Sequence, residues 1–240
     1  MIETLVVAII ATSSLAIGAE LAFALRPTTR VIGLVMAFGA GALISAVAFE
    51  LVLDNFDGDQ PQIMVVGMAA GALAFFVGDL AIDRMGGQQR KSSTGVQSEG
   101  SPLAIVLGAA LDGIPESIVL GINIVAGGEV GIAFVVATFL SNLPESMAAS
   151  SGLVRAGWRR TNIRGLWLIV IGASIVAALV GYLLASSGIM SGGFVPAFAA
   201  GAILTMLADT MMPEAYEDAG PSVGLVTVAG FLLAFFLSAR

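Results

Sequence analysis

Leu111-Asp112-Gly113-Ile114-Pro115-Glu116-Ser117 sets two carboxylates and a proline inside an otherwise apolar run, residues 102–124. A helix needs roughly 20 apolar residues to cross a bilayer core, and this run has that length. Carboxylates at such depth are costly, and a proline in a helix interior removes a backbone hydrogen bond. The chain nevertheless carries the pattern twice. Leu140-Ser141-Asn142-Leu143-Pro144-Glu145-Ser146 repeats the frame in the next apolar run, residues 130–154. A costly heptapeptide present in two consecutive runs marks them as a pair of membrane helices around a polar centre.

Outward from this pair the chain is built of similar runs. Residues 5–25, 31–53, 63–83, 102–124, 130–154, 163–185, 193–212 and 224–237 are each read as membrane-spanning, which predicts eight helices. Hydrophobic residues make up 58% of the chain and charged residues 11%, too little charge to cover a water-soluble fold. The 30 glycines fall largely within apolar runs, where they let helix backbones approach closely in lipid. With no Cys and no His, disulfides, thiolate sites and imidazole sites are excluded. No basic stripe is present, so nucleic acid is not an expected partner; the lipid bilayer is. The first run follows Met1-Ile2-Glu3 with no Lys or Arg ahead of it, unlike a cleaved signal peptide. The expected organisation is one transmembrane domain over 1–240 with a polar, flexible cytoplasmic linker at about 84–101.

The basic residues predict the orientation. Arg26 and Arg30 follow the first run, Arg84, Arg90 and Lys91 the third, and Arg155, Arg159, Arg160 and Arg164 the fifth. The other connections carry none. Basic loops stay in the cytoplasm, so both termini are expected on the non-cytoplasmic side of the cell (inner or plasma) membrane.

A second echo relates Phe38-Gly39-Ala40-Gly41-Ala42-Leu43-Ile44-Ser45 to Phe198-Ala199-Ala200-Gly201-Ala202-Ile203-Leu204-Thr205. In that register Glu50 falls opposite Thr210 and Asp54 opposite Glu214. The second run pairs with the seventh and the fourth with the fifth, and the members of each pair cross in opposite directions. Inverted repeats of this kind are characteristic of secondary transporters.

Asp112 and Glu116 stand four residues apart and share a helix face, as do Ser141 and Glu145, with Asn142 three residues from Glu145. Pro115 and Pro144 free the carbonyls of Leu111 and Leu140. Two kinked helices are thus expected to bring three carboxylates, an amide, a hydroxyl and bare carbonyls to one small space. A divalent cation is the natural occupant, as a substrate rather than a cofactor. Ser141 serves equally as a ligand or as a hydrogen-bond donor between helices. Glu50, Asp209 and Glu214 are candidates for lining a pathway, whereas Asp57, Asp59, Glu217 and Asp218 read as solvated loop charges. Glu20 and Asp79 lie deep in apolar runs with no evident partner.

The two Pro-Glu frames resemble those of the ZIP family of divalent-metal transporters. In that family the fourth helix usually reads His-Asn-x-Pro-Glu-Gly, and here the frame is Asp112 to Ser117; the fifth ends in Pro-Glu-Gly, and here the frame is Ser141 to Ser146. Asp209, Met211, Met212 and Pro213 fit the family's seventh-helix frame, with Thr210 in place of a Glu. The resemblance implies eight helices, both termini outside, and a metal site between the fourth and fifth helices, held here by Asp112, Glu116, Asn142, Glu145 and Ser141. It implies Zn²⁺, Mn²⁺ or Fe²⁺ as cargo, no enzymatic activity, and is compatible with a homodimer. The family's histidines are replaced, which points toward ions that favour oxygen. A ZIP-like carrier of another substrate and a non-transporting scaffold or sensor stay open beside this reading. An intramembrane hydrolase using Asp112 and Glu116 has no visible activating base or oxyanion motif.

Overall fold

Residues 2–56, 61–87, 102–125, 132–187 and 193–239 are described by a computed structural model of the chain. Every regular element among them is helical: α1 (Ile2–Leu25), α2 (Thr29–Ala46), α3 (Pro61–Ile82), α4 (Pro102–Val125), α5 (Ile132–Arg155), α6 (Arg160–Ser186), α7 (Phe194–Met206), α8 (Met212–Ala219) and α9 (Val223–Ser238). From residue 88 onward the expected linker lies outside the described residues, as do Asp57 and Asp59.

Among the described residues, seven helical runs are long and apolar enough to cross a membrane, rather than the eight expected. The expected spans 193–212 and 224–237 are joined in one run of 45 residues, Phe194–Ser238. The join is helical because the polar stretch between them forms α8, followed by a short 3-10 turn at Gly220–Ser222. Gly220 has φ 69°, a left-handed conformation that glycine adopts without steric cost.

Both α2 and α7 widen at their C-terminal ends into π-helical turns, Val47–Leu53 and Leu207–Met211. Asp54 N–H donates to Phe49 O at 3.0 Å, five residues back. Met212 N–H likewise reaches Leu207 O. Pro213 follows directly, and its missing N–H leaves the Asp209 carbonyl without the usual donor, a local reason for the altered ladder. The two π turns begin 160 residues apart, the offset that also relates Phe38 to Phe198.

Glycines set the closest helix contacts. A Cβ on Gly41 of α2 would sit 1.9 Å from the Thr227 carbonyl oxygen of α9, and one on Gly230 of α9 would sit 1.9 Å from that of Phe38. The same exchange joins α3 to α7: a Cβ on Gly71 would lie 1.8 Å from Phe198 O, and one on Gly201 would lie 2.0 Å from Met68 O. No side chain fits at such distances, so these backbones touch directly. Farther along, Glu50 reaches Ser238, so α2 and α9 run parallel. The core centres on α2, α5 and α7, with Met36, Leu43, Leu51, Phe134, Ile203 and Met206 among its buried side chains. A second cluster links α1, α4, α5 and α6 through Leu15, Ile105, Leu153 and Trp167.

Candidate functional site

α4 and α5 remain helical through Pro115 and Pro144, so both Pro-Glu segments lie on continuous helices. Asp112, Glu116, Ser141, Asn142 and Glu145 are all buried, none more than 6% exposed. A hydrogen bond joins the two frames: Ser141 Oγ donates to Glu116 Oε1 at 3.2 Å, across 25 residues of sequence. The same hydroxyl also lies 3.1 Å from Thr138 O. A serine has a single O–H to donate, so these two acceptors share one proton.

The structure does not gather the expected three carboxylates. Among the described residues no group of three or more Asp or Glu is close enough to hold a metal ion. The packing supplies the reason. α4 leans chiefly on α6, where a Cβ on Gly121 would sit 1.9 Å from Ala178 O, while α5 leans on α1 and α2. α4 and α5 therefore share a smaller contact with each other than with these neighbours. Nor does the Leu140 carbonyl, freed by Pro144, turn toward α4. It lies 2.4 Å from where a Cβ of Gly39 would stand and faces α2.

One face of α5 nonetheless carries a polar column. Phe134 lies at one end, where its backbone interacts with the Glu50 carboxylate. Thr138, then Ser141 and Asn142, then Glu145 follow at helical spacing, covering about 16 Å at 1.5 Å per residue. Thr138 Oγ1 is buried with no hydrogen-bond partner among the described residues. A buried hydroxyl left this way is uncommon. Sequence reasoning missed Thr138. Its spacing of seven residues from Glu145 and three from Ser141 was the available signal.

The three pathway candidates are divided between two ends of α2. Glu50 sits half-buried in the π turn, accepting from Ser238 Oγ at 3.2 Å, while Asn55 Nδ2 donates to its backbone carbonyl at 2.9 Å. α8 packs on the opposite end, where a Cβ on Gly33 would sit 2.9 Å from Ala215 O. Glu214 is half-buried on that helix and Asp209, one turn earlier, is exposed. Gly33 and Glu50 are 17 positions apart in sequence, so the two ends are about 25 Å apart.

Glu20 gains the partner that sequence could not assign. Arg164 of α6 donates to both its carboxylate oxygens, Nε to Oε1 at 2.5 Å and Nη2 to Oε2 at 2.9 Å. Asp79 is half-buried on α3.

No protein-family model matches the chain. The chain is 25% identical over 194 residues to a protein of Arabidopsis thaliana provisionally named a zinc transporter. The match covers 79% of this chain and 31% of that protein, so the chain spans about a third of the relative's length. What stands on these findings is an all-helical, multi-pass membrane protein with paired buried Pro-Glu segments, similar in sequence to that protein.

Proposed function

We propose that the chain is a ZIP-like carrier of a divalent cation, with Asp112, Glu116, Asn142 and Glu145 as its ligands and Ser141 orienting Glu116. The observation that carries this reading is the Ser141–Glu116 hydrogen bond, which joins two Pro-Glu frames at a fully buried point. Similarity to a protein named a zinc transporter supports the same reading. Oxygen donors alone suit Zn²⁺, Mn²⁺ or Fe²⁺ better than the softest metals. In this reading the ion itself draws the carboxylates together: α4 and α5, linked by the Ser141–Glu116 hydrogen bond, close around it, and opening to the other side releases it. The polar column on α5 is the route, with Glu50 toward one mouth and Asp209 and Glu214 toward the other.

The same proposal has the chain cross the membrane eight times, with both termini on the non-cytoplasmic face of a cell membrane. A helix of 45 residues would be about 67 Å long, twice a bilayer core of about 30 Å. The left-handed Gly220 gives that run a place to reverse. The matched π turns and the matched glycine contacts of Gly41 and Gly201 support an inverted repeat relating α2 to α7.

One observation favours a second reading, a non-transporting membrane scaffold: the carboxylates are not gathered into a metal-holding group. Uptake of Zn²⁺ and Mn²⁺ into proteoliposomes separates the two. The carrier reading expects ion uptake by the parent and more than about tenfold loss in Glu116→Gln and in Glu145→Gln. A parent that moves neither ion nor Fe²⁺ above empty vesicles would leave the scaffold standing.

A further inference from the structure

A cavity of about 300 Å³ opens where α1, α5 and α6 meet, away from the Pro-Glu site, and its walls include Phe23, Arg26, Ser151, Arg155 and Arg160. Three guanidinium-bearing residues line it and, among the described residues, no carboxylate does. The nearby Glu20 is engaged by Arg164 through both oxygens and is within electrostatic reach of Arg160 as well. Arg160 is held in place by Phe23, with its Cζ 5.3 Å from the ring centroid. Arg26 enters from the α1–α2 turn, with φ 46° ahead of Pro27; among the described residues it alone is a non-glycine with positive φ.

Ser151 forms part of the same wall. It is only 9% exposed, and its Oγ is buried with no hydrogen-bond partner among the described residues. Ser13, Ser14, Ser141 and Ser146 each return their hydroxyl to the carbonyl three residues back. Ser151, on the same kind of helix, does not. The cavity thus offers guanidinium donors and no acceptor charge among its described lining residues, and its complement is a compact anion with several acceptor oxygens.

We propose that this cavity binds a phosphate group, supplied either by the headgroup of an anionic phospholipid or by free inorganic phosphate. All three arginines lie at helix ends in the basic connections, at the level where headgroups sit and where basic pockets between helices take them. The site is independent of the metal reading, since none of its residues belongs to the Pro-Glu frames.

The test is binding to the purified full-length protein by native mass spectrometry and thermal melts. The probes are a short-chain phosphatidylglycerol, a short-chain phosphatidylcholine and inorganic phosphate. Phosphatidylglycerol should bind and raise the melting temperature, and Arg26→Gln and Arg155→Gln should each weaken it at least about tenfold. Arg159→Gln, a neighbour that does not line the cavity, should leave binding unchanged. Ser151→Leu fills the cavity while keeping every charge and should also remove binding, with its own melt reporting that the variant is folded. Tight binding of inorganic phosphate, lost in the same variants, would name free phosphate as the source; phosphatidylglycerol binding without it would name the lipid. The proposal is overturned if neither probe binds, if phosphatidylcholine binds equally well, or if Arg159→Gln weakens binding as much as Arg155→Gln. Full binding by a folded Ser151→Leu would overturn it too, by showing diffuse surface attraction.

Discussion

Helices meet in two different ways in this protein. Where α2 meets α9 and α3 meets α7, glycine removes the side chain and carbonyl oxygens press against the facing backbone, at distances a Cβ could not tolerate. Where α4 meets α5, a 3.2 Å hydrogen bond links side chains of the two helices. Backbone-to-backbone contacts have one geometry and resist displacement, because interiors are close-packed. A side-chain hydrogen bond can be exchanged for another partner at little net cost. The glycine pairs are therefore suited to hold the frame, and the α4–α5 junction is suited to open and close within it.

The largest effect should come from the frame. Gly41→Leu or Gly71→Leu forces a side chain into a carbonyl oxygen, a mismatch of about 3 kcal/mol or more. Both variants should be lost at expression or melt far below the parent; near-native melting would show that the backbones are not in direct contact. At the junction the reverse is expected, with function lost and the fold kept. Glu50→Gln, at the end of the α5 column, should slow uptake several-fold while leaving the melt nearly unchanged. Unaltered uptake would remove Glu50 from the route. Ser141→Ala deletes one hydrogen bond to Glu116, so metal should bind about fivefold more weakly in a titration with Mn²⁺. Tighter binding would recast Ser141 as a competitor for Glu116. Smallest of all should be Arg164→Gln. Its bidentate pair with Glu20 is about half exposed, so its loss should lower the melt by a few degrees at most.

Much of the frame was legible because lipid imposes strict rules on sequence. Length and hydropathy located the helices, and the Phe38 and Phe198 echo fell where both helices later widen into π turns. The span count was less legible. Hydropathy breaks at the polar residues of α8, but the backbone there stays helical, and the turn is marked by the φ of Gly220 and the short 3-10 turn it begins. The burial of Asp112, Glu116 and Glu145 followed from their depth. Their mutual distance did not, because spacing along one helix fixes a face and says nothing of how closely the next helix approaches. Glu20 had no visible partner for a similar reason: Arg164 is 144 residues away in sequence, and only the packing of α6 on α1 joins them.

Metal binding by purified protein tests the central claim most directly, with the parent, Glu116→Gln, Glu145→Gln and the double variant compared side by side. Each substitution keeps the side chain's shape and removes one charge. If both carboxylates hold one cation, each single change should weaken Mn²⁺ and Zn²⁺ binding by more than about tenfold, and the double change should add little further loss. Melts of the parent should rise with metal, and those of the variants should not. Single variants that bind metal as the parent does would contradict the account. So would variants that melt higher than a parent indifferent to every divalent ion, since that is how buried charges without a cation behave.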